Sequence, residues 1–185
     1  CLQHTILQQQ LKGKITCLLG LNGVGKSTTM KSIMGLIPIN KGEILLEGKP
    51  VSRKNIDQIA FLADIPTHDL NWTVEENLKM AQVYFDSFDM AKAERMVEFF
   101  NLPKEKRLKE LSKGNLARFN IIVGLSQNAP YVLMDEPFSG IDIFSREDFI
   151  ASLKSDFMIE GQTIIITTHE IDEIESIADE IIVME

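Results

Sequence analysis

The sequence is short of several things that would each define a class of protein. It has only two cysteines in 185 residues, Cys1 and Cys17, which rules out a disulfide framework. Cys17 stands within Ile15-Thr16-Cys17-Leu18-Leu19, where a thiol is expected to act as a small buried hydrophobe in a reducing, cytoplasmic setting. No apolar run approaches the roughly 18 residues that cross a bilayer. No charged-then-apolar leader is visible at the start of the sequence. Positive charge is scarce as well. Lys and Arg number 19 against 27 Asp and Glu, a formal charge of -8, which argues against a nucleic-acid-binding face. A phosphate ligand survives that exclusion, because backbone N–H groups and a single lysine hold phosphate on an acidic protein. The remaining composition, 44% hydrophobic and 25% charged, belongs to a globular chain rather than a disordered one.

What is present begins with short apolar runs rich in β-branched residues, at 14–19, 43–46, 58–63, 131–134, 163–167 and 180–184. Their apolar character is continuous rather than alternating, which predicts strands covered on both faces, as in a parallel sheet. Helical periodicity marks 27–35, 142–155 and 170–177. Strand signals vanish between 71 and 128. There Thr73-Val74-Glu75-Glu76 forms a capping box, Asp89 is a second cap, and a third helix is expected over 115–127. The expectation is one α/β domain over 1–185, with a core from 1–70 and 129–185 and a helical subdomain at 71–128. Cys at position 1 and the apolar run Ile181-Ile182-Val183-Met184-Glu185 at the other end suggest trimming on both sides.

The strongest motif is Gly20-Leu21-Asn22-Gly23-Val24-Gly25-Lys26-Ser27, a full G-x-x-x-x-G-K-[ST] pattern between a predicted strand and a predicted helix. Its glycines let successive N–H groups turn inward around phosphate oxygens. Lys26 would reach the β- and γ-phosphates, and Ser27 would ligate Mg2+. Tyr131-Val132-Leu133-Met134-Asp135-Glu136 is an apolar strand ending in two carboxylates. Asp135 suits a water-mediated hold on the same Mg2+, and Glu136 suits polarisation of an attacking water; alone, the pair also fits an ordinary strand end. Leu111-Ser112-Lys113-Gly114-Asn115 opens a helix, whose N-terminus offers N–H groups to an anion.

In this order the motifs resemble those of the ATP-binding-cassette (ABC) ATPases over nearly the whole chain. Walker A is Gly20–Ser27, the signature is Leu111–Asn115, and Walker B ends at Asp135, followed by the catalytic Glu136. Ser139-Gly140-Ile141-Asp142 is the D-loop, and His169 is the switch histidine. The resemblance implies a P-loop fold of ABC type: a mainly parallel sheet, an inserted helical subdomain and a small antiparallel β part. It adds Thr28 to the phosphate-binding set of Gly20, Leu21, Asn22, Gly23, Val24, Gly25, Lys26 and Ser27. It further implies ATP and Mg2+ as ligands, and two cassettes paired head to tail. Ser112 and Gly114 of one chain would then meet the γ-phosphate held by Lys26 of the other, while Asp142 couples the two sites. Transmembrane permease subunits would be the other partners, nucleic acid would not, and the chain would sit on the cytoplasmic face of the cell membrane.

Three positions depart from the family pattern. Asp64 stands where the family usually has a Gln that binds Mg2+. Asn115 replaces the usual Gln of the signature. Lys113 occupies a glycine position, either placing a cation near the partner's ATP or pointing to solvent. The Leu-Ser-Lys-Gly signature looks most like that of ABC-2-type exporters, so the implied function is an ATP-hydrolysing exporter subunit. The alternatives are a soluble ABC protein and a regulatory cassette not coupled to transport. The family's adenine-stacking aromatic is either absent or upstream of Cys1, since no aromatic precedes Phe61.

Overall fold

The computed structural model describes residues 13–63, 68–173 and 176–185. Five strands form one parallel sheet: β1 (Ile15–Leu19), β4 (Ile59–Leu62), β5 (Tyr131–Asp135), β6 (Thr163–Thr168) and β7 (Glu180–Val183), in the order β4-β5-β6-β1-β7. The central runs are covered on both faces as their composition requires, whereas the edge strand β7 leaves Ile181 and Val183 exposed. All six residues of β6 are buried, and Ile15, Cys17, Val132 and Met134 are fully covered. Strand register decides which residues meet at the carboxyl ends. Leu19 pairs with Thr168 and Asp135 with Thr167, so Gly20, Glu136 and His169 all leave the sheet at one rim. Ligands of open α/β sheets bind at that rim.

β2 (Leu45–Leu46) and β3 (Lys49–Pro50) make a separate two-stranded antiparallel hairpin. Glu47 and Gly48 between them both have positive φ, as a two-residue hairpin turn demands. The expected strand at 43–46 is therefore shorter. Its partner, carrying Pro50, has no strand signal because proline is tolerated only at such an edge.

The helices follow their caps. α1 (Lys26–Ile33) starts after Gly25, whose φ of 106° only glycine adopts readily. α2 (Val74–Tyr84) carries the complete Thr73–Glu76 capping box, and α3 (Met90–Phe99) is capped by the Asp89 carboxylate. α4 (Lys113–Ser126) begins two residues before the expected start, because Ser112 Oγ accepts the N–H of Asn115 and sets the first turn. α5 (Ile143–Ser152) is capped by Asp142 and runs on as a wider turn over Leu153–Phe157. The helix expected at 170–177 is not formed as predicted. Ile171–Glu173 is a 3-10 turn and 176–177 lie in a turn, with 174–175 outside the described residues. Ile171 is 51% exposed while Ile177 is buried in the core, so the two described isoleucines of this segment do not share one covered helical face.

α2, α3 and α4 thus stand between β4 and β5 in the chain, and phenylalanines bind this run to the rest. Phe99 meets Phe157 at 5.3 Å and Phe100 meets Phe149 at 5.4 Å between ring centres, joining the end of α3 to α5 and the turn after it. Buried Lys92 of α3 donates to Leu125 O and Asn128 Oδ1 at the end of α4, and burial lowers its pKa to about 8. α4 lies against β4, where Gly124 faces Leu62 so closely that a Cβ would overlap the leucine side chain. Gly124→Ala should therefore lose about 1–3 kcal/mol of stability through overpacking. Urea unfolding measures this, and an unchanged midpoint would contradict the close approach of α4 to β4.

Candidate functional site

The loop after β1 is shaped by glycines, one where a side chain has no room and two whose backbone conformation disfavours one. A Cβ on Gly20 would lie 2.7 Å from Met184 O and 2.9 Å from Val24 Cγ2, and Gly23 and Gly25 have φ of 90° and 106°. Gly20 N–H donates to Thr168 O at 3.3 Å, which pins the loop to the end of β6. Lys26 is only 5% exposed. Its Nζ donates to Gly20 O at 2.7 Å and Leu21 O at 3.3 Å, and lies 3.5 Å from Glu136 Oε1.

The floor of the site is Asp135, buried to 3% exposure. Its Oδ1 accepts the Ser27 hydroxyl at 2.9 Å and the Thr167 hydroxyl at 2.7 Å. Thr167 Oγ1 in turn accepts the N–H of Glu136 at 3.0 Å. Glu136 takes φ of 48°, a left-handed conformation that costs a non-glycine residue about 1–3 kcal/mol and recurs at functional sites. From there its two oxygens diverge, Oε1 toward Lys26 and Oε2 to His169 Nδ1 at 3.0 Å. His169 Nε2 lies 3.6 Å from Glu170 Oε1.

Above these groups is a cavity of about 350 Å³. Asn22, Gly23, Gly25, Lys26, Ser27 and Thr28 line one side, with Glu136 and His169 opposite. Lys113 and Ser139 complete the lining. The fold therefore gathers most of the sequence-selected residues around one space, with Gly20, Leu21 and Val24 forming the loop that carries them. Ser112, Gly114 and Asp142 do not line it. Ser112 caps α4, and Gly114 packs against Gly140 O. Asp142 caps α5 and accepts from Arg118 Nη2 at 2.6 Å. The N–H and hydroxyl of Ser145 hold the Asp142 carboxyl below its ordinary range, and Arg118 adds to the effect. Asn115 also bonds Arg118, through Oδ1 to Nη1 at 2.9 Å. Asp64 lies outside the described residues; just before it, Ala63 O accepts from Asn120 Nδ2 at 3.3 Å.

The donors fit Mg2+. A serine hydroxyl and a buried carboxylate converging at 2.9 Å are hard oxygen ligands. Among the described residues no group of three or more His, Cys, Asp or Glu forms a closed metal cage.

A parallel sheet whose β1 opens into a glycine-rich loop and helix, with acids at the end of a neighbouring strand, defines a P-loop nucleotide-binding protein. The chain belongs to the ABC transporter family, whose model matches residues 7–139. It is 31% identical over 170 residues to the lantibiotic transport ATP-binding protein SrtF of Streptococcus pyogenes, covering 91% of this chain and 73% of that protein. The manganese transport system ATP-binding protein MntB of Listeria innocua is also 31% identical, over 93% of this chain and 75% of its own. In solved structures, cbiO1 from Clostridium perfringens superposes with a TM-score of 0.74 at 27% identity, covering 94% of this chain and 74% of that one. Nucleotide binding and ATP hydrolysis are general in the family.

Thr167 is the residue that sequence reasoning missed. Its signal was a pair of hydroxyls, Thr167-Thr168, ending an otherwise aliphatic strand, but only the pairing with β5 shows which one meets Asp135. Thr167→Val keeps the shape and removes the hydroxyl. It should lower ATP turnover about tenfold, as expected for losing a hydrogen bond to a charged group, whereas Thr167→Ser should retain most of it. Phosphate-release assays decide, and wild-type turnover in the valine variant would refute a positioning role.

Proposed function

We propose that the chain is the ATP-hydrolysing subunit of a membrane exporter, working through ATP-dependent pairing of two cassettes. The observation that carries this reading is Glu136, held in a strained backbone between Lys26 and His169 directly above the Ser27–Asp135–Thr167 floor. In that place the P-loop N–H groups and Lys26 bind the phosphate chain, Lys26 exchanging its loop carbonyls for phosphate oxygens. Ser27 and Asp135 would hold Mg2+, which would supply charge neutralisation at the phosphates. Glu136 orients and polarises the attacking water, and His169, with its proton on Nδ1, fixes the Glu136 carboxylate by donating to it.

The surfaces suit the remaining parts of the machine. Ile143 and Phe144 follow the D-loop at the start of α5 and are exposed, Phe144 to 78%, where a second cassette would cover them. At the far end of α2, Val83 and Tyr84 are 76% and 74% exposed, beside half-covered Phe85. These side chains, and separately Trp72 ahead of the start of α2, are the exposed apolar groups of the helical subdomain, 71–128, that would receive a membrane partner. Among the described residues no helix is long and apolar enough to cross a membrane. In this reading the chain is attached to the cytoplasmic face through separate membrane subunits. cbiO1 is part of the ABC transporter complex cbiONQ, which supports such an assembly here. The exporter direction rests on the Leu111-Ser112-Lys113-Gly114 signature.

Glu136→Gln keeps the shape and removes the carboxylate. Turnover should fall by on the order of a hundredfold or more while ATP still drives pairing, read by phosphate release and light scattering. Unchanged turnover would sink the catalytic assignment.

A further inference from the structure

Lys113 is the first residue of α4, yet its side chain lies back across the D-loop of its own chain. Gly140 has φ of 82°, and a Cβ there would be only 3.3 Å from Lys113 Cγ and Cδ, so the lysine stem rests on bare backbone. Its Nζ donates to Ser139 Oγ at 2.9 Å. Ser139 N–H in turn bonds Glu136 O at 3.2 Å, three residues along the same turn. This chain of contacts ends in the phosphate cavity, whose lining includes both Lys113 and Ser139 together with Lys26 and Glu136. The start of α4 is held there by the packing of Gly114 against Gly140 O.

Two carboxylates, Asp135 and Glu136, stand at this end of the sheet, and Lys26 is already engaged by both Gly20 O and Glu136. Among the described residues, Lys113 is the other ammonium lining the cavity. A triphosphate brings more negative charge than a diphosphate, and brings it at the terminal phosphate. We propose that Lys113 contacts the terminal phosphate bound in its own chain's cavity, guided there by Ser139 and Gly140. Ser112 and the backbone at the start of α4 remain for the partner's nucleotide. One signature segment then meets both nucleotides of a pair, one through its cap and the other through its lysine. The proposal rests on the nucleotide reading above, but it does not require pairing.

Calorimetric titration of the full chain, kept monomeric by dilution, tests it. The ligands are Mg2+ with a non-hydrolysable ATP analogue and Mg2+ with ADP. Lys113→Met should weaken the triphosphate about fivefold, the scale of a solvent-exposed charge pair, and leave ADP unchanged. Lys113→Arg should recover most of the loss, and Ser139→Ala should reproduce part of it. Wild-type triphosphate affinity in monomeric Lys113→Met would overturn the proposal and leave the lysine to the partner's site or to solvent. Equal losses for both nucleotides would overturn it too, since the contact is specific to the terminal phosphate. If the wild-type chain binds neither nucleotide, the nucleotide reading itself falls, and this proposal with it.

Discussion

Asp135 Oδ1 accepts two hydroxyl hydrogen bonds, from Ser27 on α1 and Thr167 on β6, and so joins three elements at one buried atom. A buried carboxylate without such partners would cost several kcal/mol, and with them it becomes a fixed point. The rest of the site is measured from it. Thr167 extends the tie to the backbone of Glu136, and the parallel register of β5, β6 and β1 brings the glycine-rich loop and His169 to the same rim. Shifting β6 by one residue would turn Thr167 away and send the hydroxyl of a different residue, or none, toward Asp135.

The acidic balance of the chain makes the arrangement of cations matter more than their number. A ligand as anionic as a nucleoside triphosphate meets a site that already contains Asp135 and Glu136. Gly23 and Gly25, both at positive φ, let the loop turn backbone N–H groups toward phosphate, and Lys26 is held in the loop by its own carbonyls. Lys26 and His169 grip the two oxygens of Glu136 from opposite sides, which orients a side chain whose backbone is strained. Net charge, which argues against nucleic acid at the scale of the whole surface, says little about a cavity in which a few neighbouring groups set the potential.

Much of this is legible in the sequence because local rules act locally. The central β-branched runs read as buried parallel strands, and Thr73 and Asp89 cap helices as their residue types suggest. The glycine-lysine spacing of the loop needs only one strand and one helix to have meaning. What escapes are properties of register and of side-chain direction. Thr167 matters through its pairing with Asp135, Lys113 through a glycine at position 140 that lets it fold back, and β3 through a turn whose first residue is an ordinary glutamate. Residues 170–177 fail in the opposite sense. Their pattern is helical, but of its described isoleucines Ile177 packs into the core while Ile171 stays exposed, and a short helix gains little without one covered face.

The most direct measurement is the Mg2+ dependence of nucleotide affinity in Asp135→Asn, a change that keeps the shape and removes the charge. Mg2+ should raise triphosphate affinity of the wild-type chain by on the order of tenfold or more, and the asparagine variant should lose that enhancement while still binding nucleotide. A variant with the full wild-type response to Mg2+ would contradict the placement of Asp135 at the centre of the site.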